Sequence, residues 1–131
     1  MKYLLDTNIC IALLKGKDKT LITKVSQCDP FDFALCTIVK AELIYGARKS
    51  QKVAENLRVA KNFFAQFESL PFDDEASEHY GSDRALLAKA GTPIGGNDLL
   101  IAAIAKANDL ILITRNVEEF ARVPELAFEK W

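Results

Sequence analysis

Three carboxylates border apolar runs at positions where a packed core rejects an unpaired charge. Asp6 closes Tyr3-Leu4-Leu5, Glu42 lies inside the run from Thr37 to Gly46, and Asp98 opens Asp-Leu-Leu-Ile-Ala-Ala-Ile-Ala. A buried carboxylate is costly unless it is paired, hydrogen-bonded or bound to a metal. Three of them, distant in sequence and each beside a core element, point to one shared site that a cation would satisfy. The available donors are hard oxygens. The single histidine, His79, cannot build a zinc site alone, and Cys10, Cys28 and Cys36 form no C-x-x-C pair and read as reduced, packed thiols. Oxygen donors select Mg²⁺ or Mn²⁺, which activates a water and shields charge on a phosphate.

Each acid taken singly has a plainer role open to it. Asp98 could be an N-cap, Glu42 an acid complementing a helix dipole, and Asp6 a turn residue. Helical spacing argues for the shared site. Glu42 lies four residues after Ile38 and three before Tyr45, and Asp98 shares a face with Ile101, Ala102 and Ala105, so both acids project from apolar faces.

The elements that must position these acids alternate between strand and helix. Lys2 to Leu5 reads as a strand, and Asp6-Thr7-Asn8 as a cap-rich turn into a helix over Ile9 to Leu14. A second amphipathic segment follows from Lys19 to Gln27, and a strand from Phe33 to Cys36. Thr37 is the expected N-cap of the helix carrying Glu42, and a further helix covers residues 53–67. Ser69 to Phe72 reads as a short strand, and Asp73-Asp74 caps a long helix to about Ala90. After the Gly91–Gly96 loop the next helix starts at Asn97 or Asp98. Leu110 to Thr114 is the strongest strand. A short helix at Val117 to Phe120 and a strand near Leu126 to Glu129 end the chain. This alternation predicts a three-layer α/β/α fold with a mostly parallel central sheet, in a single domain over residues 1–131. Ligands of such sheets bind beyond the carboxyl ends of the strands, where Asp6, Glu42, Asp98 and the pair Asn116 and Glu119 all fall.

With half its residues hydrophobic, the chain can bury a full core, and no apolar stretch reaches the length of a membrane span. The N-terminus meets an acid too early for a signal peptide, so the expected compartment is the cytoplasm. The net charge of −1 does not by itself suggest a nucleic-acid binder. Setting aside Asp6, Glu42, Asp98 and Glu119 from the 18 acids leaves 14 against 17 bases. The groups Lys15-Lys17-Lys19 and Arg48-Lys49-Lys52 are then free to contact phosphates, or form ordinary solvated surface. Phe63, Phe64, Phe67 and Tyr45 offer more aromatic area than one small sheet face needs, which is consistent with a subunit contact as well as with a core.

Leu-Leu-Asp-Thr-Asn at 4–8, Ala-Glu-Leu-Ile-Tyr-Gly-Ala at 41–47, Ile-Gly-Gly-Asn-Asp-Leu-Leu-Ile-Ala-Ala at 94–103 and Leu-Ile-Thr-Arg-Asn-Val-Glu-Glu-Phe at 112–120 resemble the PIN-domain ribonucleases. More narrowly, the chain is similar to the VapC toxins of type II bacterial toxin–antitoxin pairs, from Tyr3 to Trp131. The resemblance implies an endoribonuclease dependent on Mg²⁺, or Mn²⁺, with Asp6, Glu42 and Asp98 as the acidic centre. It also implies a homodimer, an RNA substrate of which tRNA is one candidate, and neutralisation by a small cognate antitoxin whose N-terminal part binds promoter DNA. One departure stands out: where many PIN domains carry a fourth Asp, this chain has Asn116. Glu119 is then the candidate for the missing charge, with Thr7, Asn8, Thr114 and Asn116 positioning water or substrate. Two alternatives stand beside this reading. A haloacid-dehalogenase-like phosphatase would use Asp6 and Thr114 but needs a second Asp where Asn8 stands. A non-catalytic PIN-like interaction domain would keep the fold with a degenerate site.

Overall fold

The computed structural model describes all residues from Met1 to Trp131. Five strands, β1 (Tyr3–Leu5), β2 (Phe33–Cys36), β3 (Glu68–Leu70), β4 (Ile111–Ile113) and β5 (Phe128–Glu129), form one sheet in the order β3-β2-β1-β4-β5. Every pairing is parallel. The seven helices are α1 (Thr7–Lys15), α2 (Lys19–Ser26), α3 (Thr37–Arg48), α4 (Val53–Phe64), α5 (Asp74–Ala90), α6 (Gly96–Ala107) and α7 (Val117–Phe120). All four residues of β2 and all three of β1 are buried, as strands covered by helices on both faces require.

The strand order reverses direction between β1 and β4, whose residues Leu5 and Ile113 are register partners. That reversal opens a crevice beyond their carboxyl ends, where ligands of open α/β sheets bind. Asp6 follows β1 at once, and Thr114 follows β4. The backbone N–H of Asp6 donates to the carbonyl of Ile113 at 3.1 Å, which fixes the two segments side by side.

Several element ends differ from the sequence expectation, each for a local reason. The strand expected over Ser69 to Phe72 is Glu68–Leu70, because Pro71 has no N–H to extend the ladder. The helix expected to reach residue 67 stops at Phe64, and a tight turn in which Phe67 N–H donates to the Phe64 carbonyl at 3.1 Å takes over. The last strand is only Phe128–Glu129. Thr37 is not an N-cap: β2 runs directly into α3, so extended Cys36 takes the cap position without a side-chain bond and Thr37 is the first helical residue. The helix carrying Asp98 starts at Gly96 with Gly95 as its cap.

Phe63 and Phe64 belong to the core, as one of the two readings held, and partly buried Phe67 packs edge-on against Phe63 with centroids 5.0 Å apart. Tyr45 is the exception, and it stands out in solvent. On the far side of the sheet from the crevice's acids, Lys106 of α6 is held by both oxygens of buried Asp83 on α5, at 2.9 and 3.1 Å, and by the Pro124 carbonyl at 2.8 Å. This ion pair locks α5, α6 and the turn before β5 together.

Candidate active site

Asp6 is the most deeply set of the acids, only 4% exposed. It is held there because it caps α1: its Oδ1 accepts from the Ile9 N–H at 2.9 Å. A buried carboxylate is thereby given a backbone donor at the positive end of a helix. Burial still dominates and pushes its pKa upward, with Glu42 adding to the rise, while the Thr114 hydroxyl, the Ile9 amide and Arg115 pull the other way. Thr114 is itself fully buried, and its Oγ1 accepts from the Asn116 N–H at 3.0 Å.

Glu42 reaches the same edge from α3, one helical turn further in than the strand end. The Thr7 hydroxyl donates to its Oε1 at 2.7 Å and ties α3 to the start of α1. Asp98 occupies the first turn of α6, with a half-buried side chain. The cap position being Gly95, Asp98 has no capping bond to make and its carboxylate is left for the crevice. Its pKa is raised to about 6, first by burial, then by the charge and hydrogen bonding of Glu119, and then by the charges of Glu42 and Asp6. All four acids therefore feel one another.

Glu119 sits on α7, at the spacing expected from Asn116. Its Oε1 accepts from the Gly95 N–H at 2.6 Å, and its Oε2 accepts from the Asn116 side-chain amide. The Gly95 amide is the main reason its pKa is lowered, with Asn116 and Arg122 assisting. Of this coupled pair, Asp98 holds the shared proton and Glu119 stays charged, because donors surround only Glu119. Asn116 was expected to position a water or the phosphate. Its side-chain N–H donates to Glu119, and it makes no side-chain cap on α7.

Sequence reasoning missed two contributors here. The Gly95 N–H is a backbone donor with no residue-type signature, beyond the Gly95-Gly96 pair itself. A Cβ at Gly95 would lie 3.5 Å from both Asp98 Oδ2 and Glu119 Oε1, so glycine keeps that approach open. Arg115 pairs with Asp18, the N-cap of α2, and its Nε donates to the Trp131 carbonyl at 2.8 Å, which anchors the chain end beside the crevice. Asn8 and Thr7 line the crevice together, Asn8 exposed and Thr7 half-buried.

No three His, Cys, Asp or Glu side chains stand close enough to ligate one ion by themselves. Mg²⁺ does not require such a cluster, since it keeps several of its waters and is held through one or two carboxylates. The donor set fits the ion. The charge of Glu42 raises the proton affinity of Asp6, and the charges of Glu119, Glu42 and Asp6 raise that of Asp98, which leaves a concentrated negative field supplied by hard oxygen donors.

The sequence matches the PIN domain family over residues 3–126. It is 37% identical over 131 residues to the tRNA(fMet)-specific endonuclease VapC of Salmonella typhimurium, covering all of this chain and 98% of that protein. It is 39% identical over 132 residues to ribonuclease VapC1 of Haemophilus influenzae, with the same coverage. Among solved structures, the DNA-bound VapBC complex of Salmonella typhimurium superimposes with a TM-score of 0.94 at 37% identity, covering 100% of this chain and 98% of that one. VapBC2 of Rickettsia felis, bound to a DNA fragment from its promoter, superimposes with a TM-score of 0.92 at 35% identity, covering 100% and 99%.

Proposed function

The chain belongs to the PIN-domain family, and on that premise we propose that it is the ribonuclease toxin of a toxin–antitoxin pair, a single-domain, divalent-metal-dependent endonuclease. The observation that supports this reading is that Asp98 feels the charges of Glu119, Glu42 and Asp6, carboxylates from four separate chain segments beside the β1/β4 crevice. Full-length likeness to ribonuclease VapC proteins supports the activity, and the relatives named for tRNA(fMet) support tRNA as the first substrate to try.

Mg²⁺, with Mn²⁺ as its substitute, would supply a nucleophilic water and shield the phosphodiester charge. The chain's own residues do the positioning. Asp6 is fixed by the Ile9 amide, Glu42 by the Thr7 hydroxyl and Glu119 by Gly95 and Asn116, so three of the four carboxylates hold set orientations before any ligand arrives. Asp98, the least constrained and most readily protonated, is free to adjust to the ion or to hold a proton at its carboxyl. Thr114 steadies Asp6 from below, and Asn8 faces the strand as it enters.

Partner and location follow from the same family likeness. An apolar groove of about 420 Å³ between α1, α3 and α4, lined by Ile11, Leu14, Leu43, Val59 and Ala60, leads directly to Glu42. It suits the apolar face of an antitoxin helix, with a basic residue reaching the acids. Promoter DNA would be met only through that antitoxin, as the DNA-bound VapBC relatives suggest. The toxin would act as a homodimer in the cytoplasm; no helix is long and apolar enough to cross a membrane.

The test is cleavage of purified tRNA by the isolated chain in Mg²⁺, in EDTA, and after Asp6→Asn. Cleavage in Mg²⁺ alone is expected, with both EDTA and Asp6→Asn abolishing it. Undiminished cleavage in EDTA would overturn the metal mechanism. No cleavage of any RNA by the well-folded chain would favour the non-catalytic alternative.

A further inference from the structure

A second groove, of about 620 Å³, continues from Thr7, Asn8 and Glu42 along α3. It shares Glu42 with the crevice and is lined by Asn8, Ile38, Tyr45, Gly46, Lys49 and Asn97, among others. Tyr45 follows Glu42 by three residues and Lys49 follows Tyr45 by four, so the helix sets acid, ring and cation in a row along one face. Tyr45 is 66% exposed although Leu43 and Ala47 beside it are buried. A large ring left in water within a helix that has a core to enter is placed for something outside the fold. The Lys49 ammonium lies 5.1 Å from its centroid.

Gly46 sits in the last turn of α3 and lines both this groove and the apolar groove between α1, α3 and α4. Nothing lies within 4 Å of the position its Cβ would take, so internal packing does not require it.

We infer that this groove is a nucleotide subsite, in which the base next to the scissile phosphate stacks on Tyr45 while Lys49 meets the adjoining phosphate. The inference rests on the ribonuclease reading and adds how the substrate is held. The chemistry favours a single-stranded RNA segment over a protein. An acidic centre repels a polyanion, and the nearest relief along α3 is the Lys49 charge. An exposed ring accepts any unstacked base, and the amides of exposed Asn8 and Asn97 offer donors and acceptors to its edge or to the ribose. Tyr45 is in this sense a substrate-positioning residue, distinct from the acids.

The experiment measures binding of a labelled oligoriboadenylate by fluorescence anisotropy in an Asp6→Asn background, which prevents turnover. Tyr45→Ala is expected to weaken binding roughly 5- to 150-fold, the range for losing one base–aromatic stack, and Tyr45→Phe to retain it. In the active protein Tyr45→Ala should raise KM more than it lowers kcat. An RNA carrying an abasic residue at the stacked position should bind the parent weakly and lose nothing further on Tyr45→Ala. If the parent cleaves RNA and Tyr45→Ala binds it as tightly as Tyr45 does, the subsite is wrong and the nuclease reading stands. Weakened dimerisation or antitoxin binding with unchanged RNA affinity would likewise overturn it and assign Tyr45 to a protein interface. A parent that neither binds nor cleaves RNA would refute the ribonuclease reading itself, and the subsite with it.

Discussion

Removing the charge of Asp98 should stabilise the metal-free protein, because that charge is held against its surroundings. The carboxyl titrates at about 6 against an ordinary value of 3.8. A carboxyl whose pKa is raised on folding binds its proton more tightly in the folded state. It therefore leaves stability intact at low pH and erodes it as pH rises from the unfolded value through the folded one. The full shift corresponds to about 3 kcal/mol above pH 6, at about 1.4 kcal/mol per pKa unit. Asp98 is only half-buried, so solvent screening leaves roughly half of that. Its place in the first turn of α6 returns about 0.5 kcal/mol through the helix dipole, which the substitution forfeits.

Asp98→Asn should thus gain about 1 kcal/mol in EDTA near neutral pH, or a rise of about 3 °C in Tm for a chain of this length. Thermal melts of parent and variant across pH, in EDTA, measure this directly. The two curves should converge below about pH 4, where the parent's carboxyl is protonated in both states. Saturating Mg²⁺ should reverse the order, since an ion bound only by the folded parent adds about 2.7 kcal/mol at a hundredfold excess over its Kd. A variant that melts at or below the parent near neutral pH in EDTA, with no convergence in acid, would refute the idea that the four acids strain the crevice.

Glu119→Gln should lower RNA cleavage severalfold or more and weaken Mg²⁺ affinity by titration calorimetry, whereas Glu118→Gln, at an exposed neighbour, should leave both unchanged. Lys106→Ala should destabilise the fold by about 3–5 kcal/mol in chemical denaturation, because it strands the Asp83 carboxylate in the core. Thr7→Val should keep the fold but free the Glu42 carboxylate, costing activity about tenfold while Thr7→Ser retains it, as steady-state cleavage rates would reveal.

What could be read from the chain and what could not divide along physical lines. Asp6 was legible because an apolar run, a capping residue and a helix follow one another without a gap. The placement of Glu42 and Glu119 after β2 and β4 followed from strand–helix alternation, since parallel connections bring every strand's carboxyl end to one edge, whereas α6 follows α5 rather than a strand and the alternation does not place Asp98. The start of α6 was misread because Gly95 caps without a side chain, and an N-cap signal depends on one. The hold on Glu119 was missed for the related reason that a backbone N–H looks the same in every residue. The choice between core and subunit contact for Phe63 and Phe64 stayed open in the sequence because aromatic spacing on a helix records an apolar face but not what covers it. The Asp83–Lys106 pair left one trace, a lysine between alanines in an otherwise apolar helix, and the partner 23 residues away carried none.

The order of the strands also determines when in its own synthesis the protein becomes dangerous. β1, β2 and β3 can assemble from the first half of the chain, but that half ends at an open β1 edge with only Asp6 and Glu42 in place. Asp98 arrives with α6, and Asn116 and Glu119 arrive only after β4 has slotted in beside β1. A nascent chain on the ribosome, or one cut short by a premature stop before α7, therefore carries an incomplete set of acids and has no crevice in which to gather them. Competence therefore waits for β4 and α7, so the early part of synthesis exposes the cell only to a fragment without a gathered site.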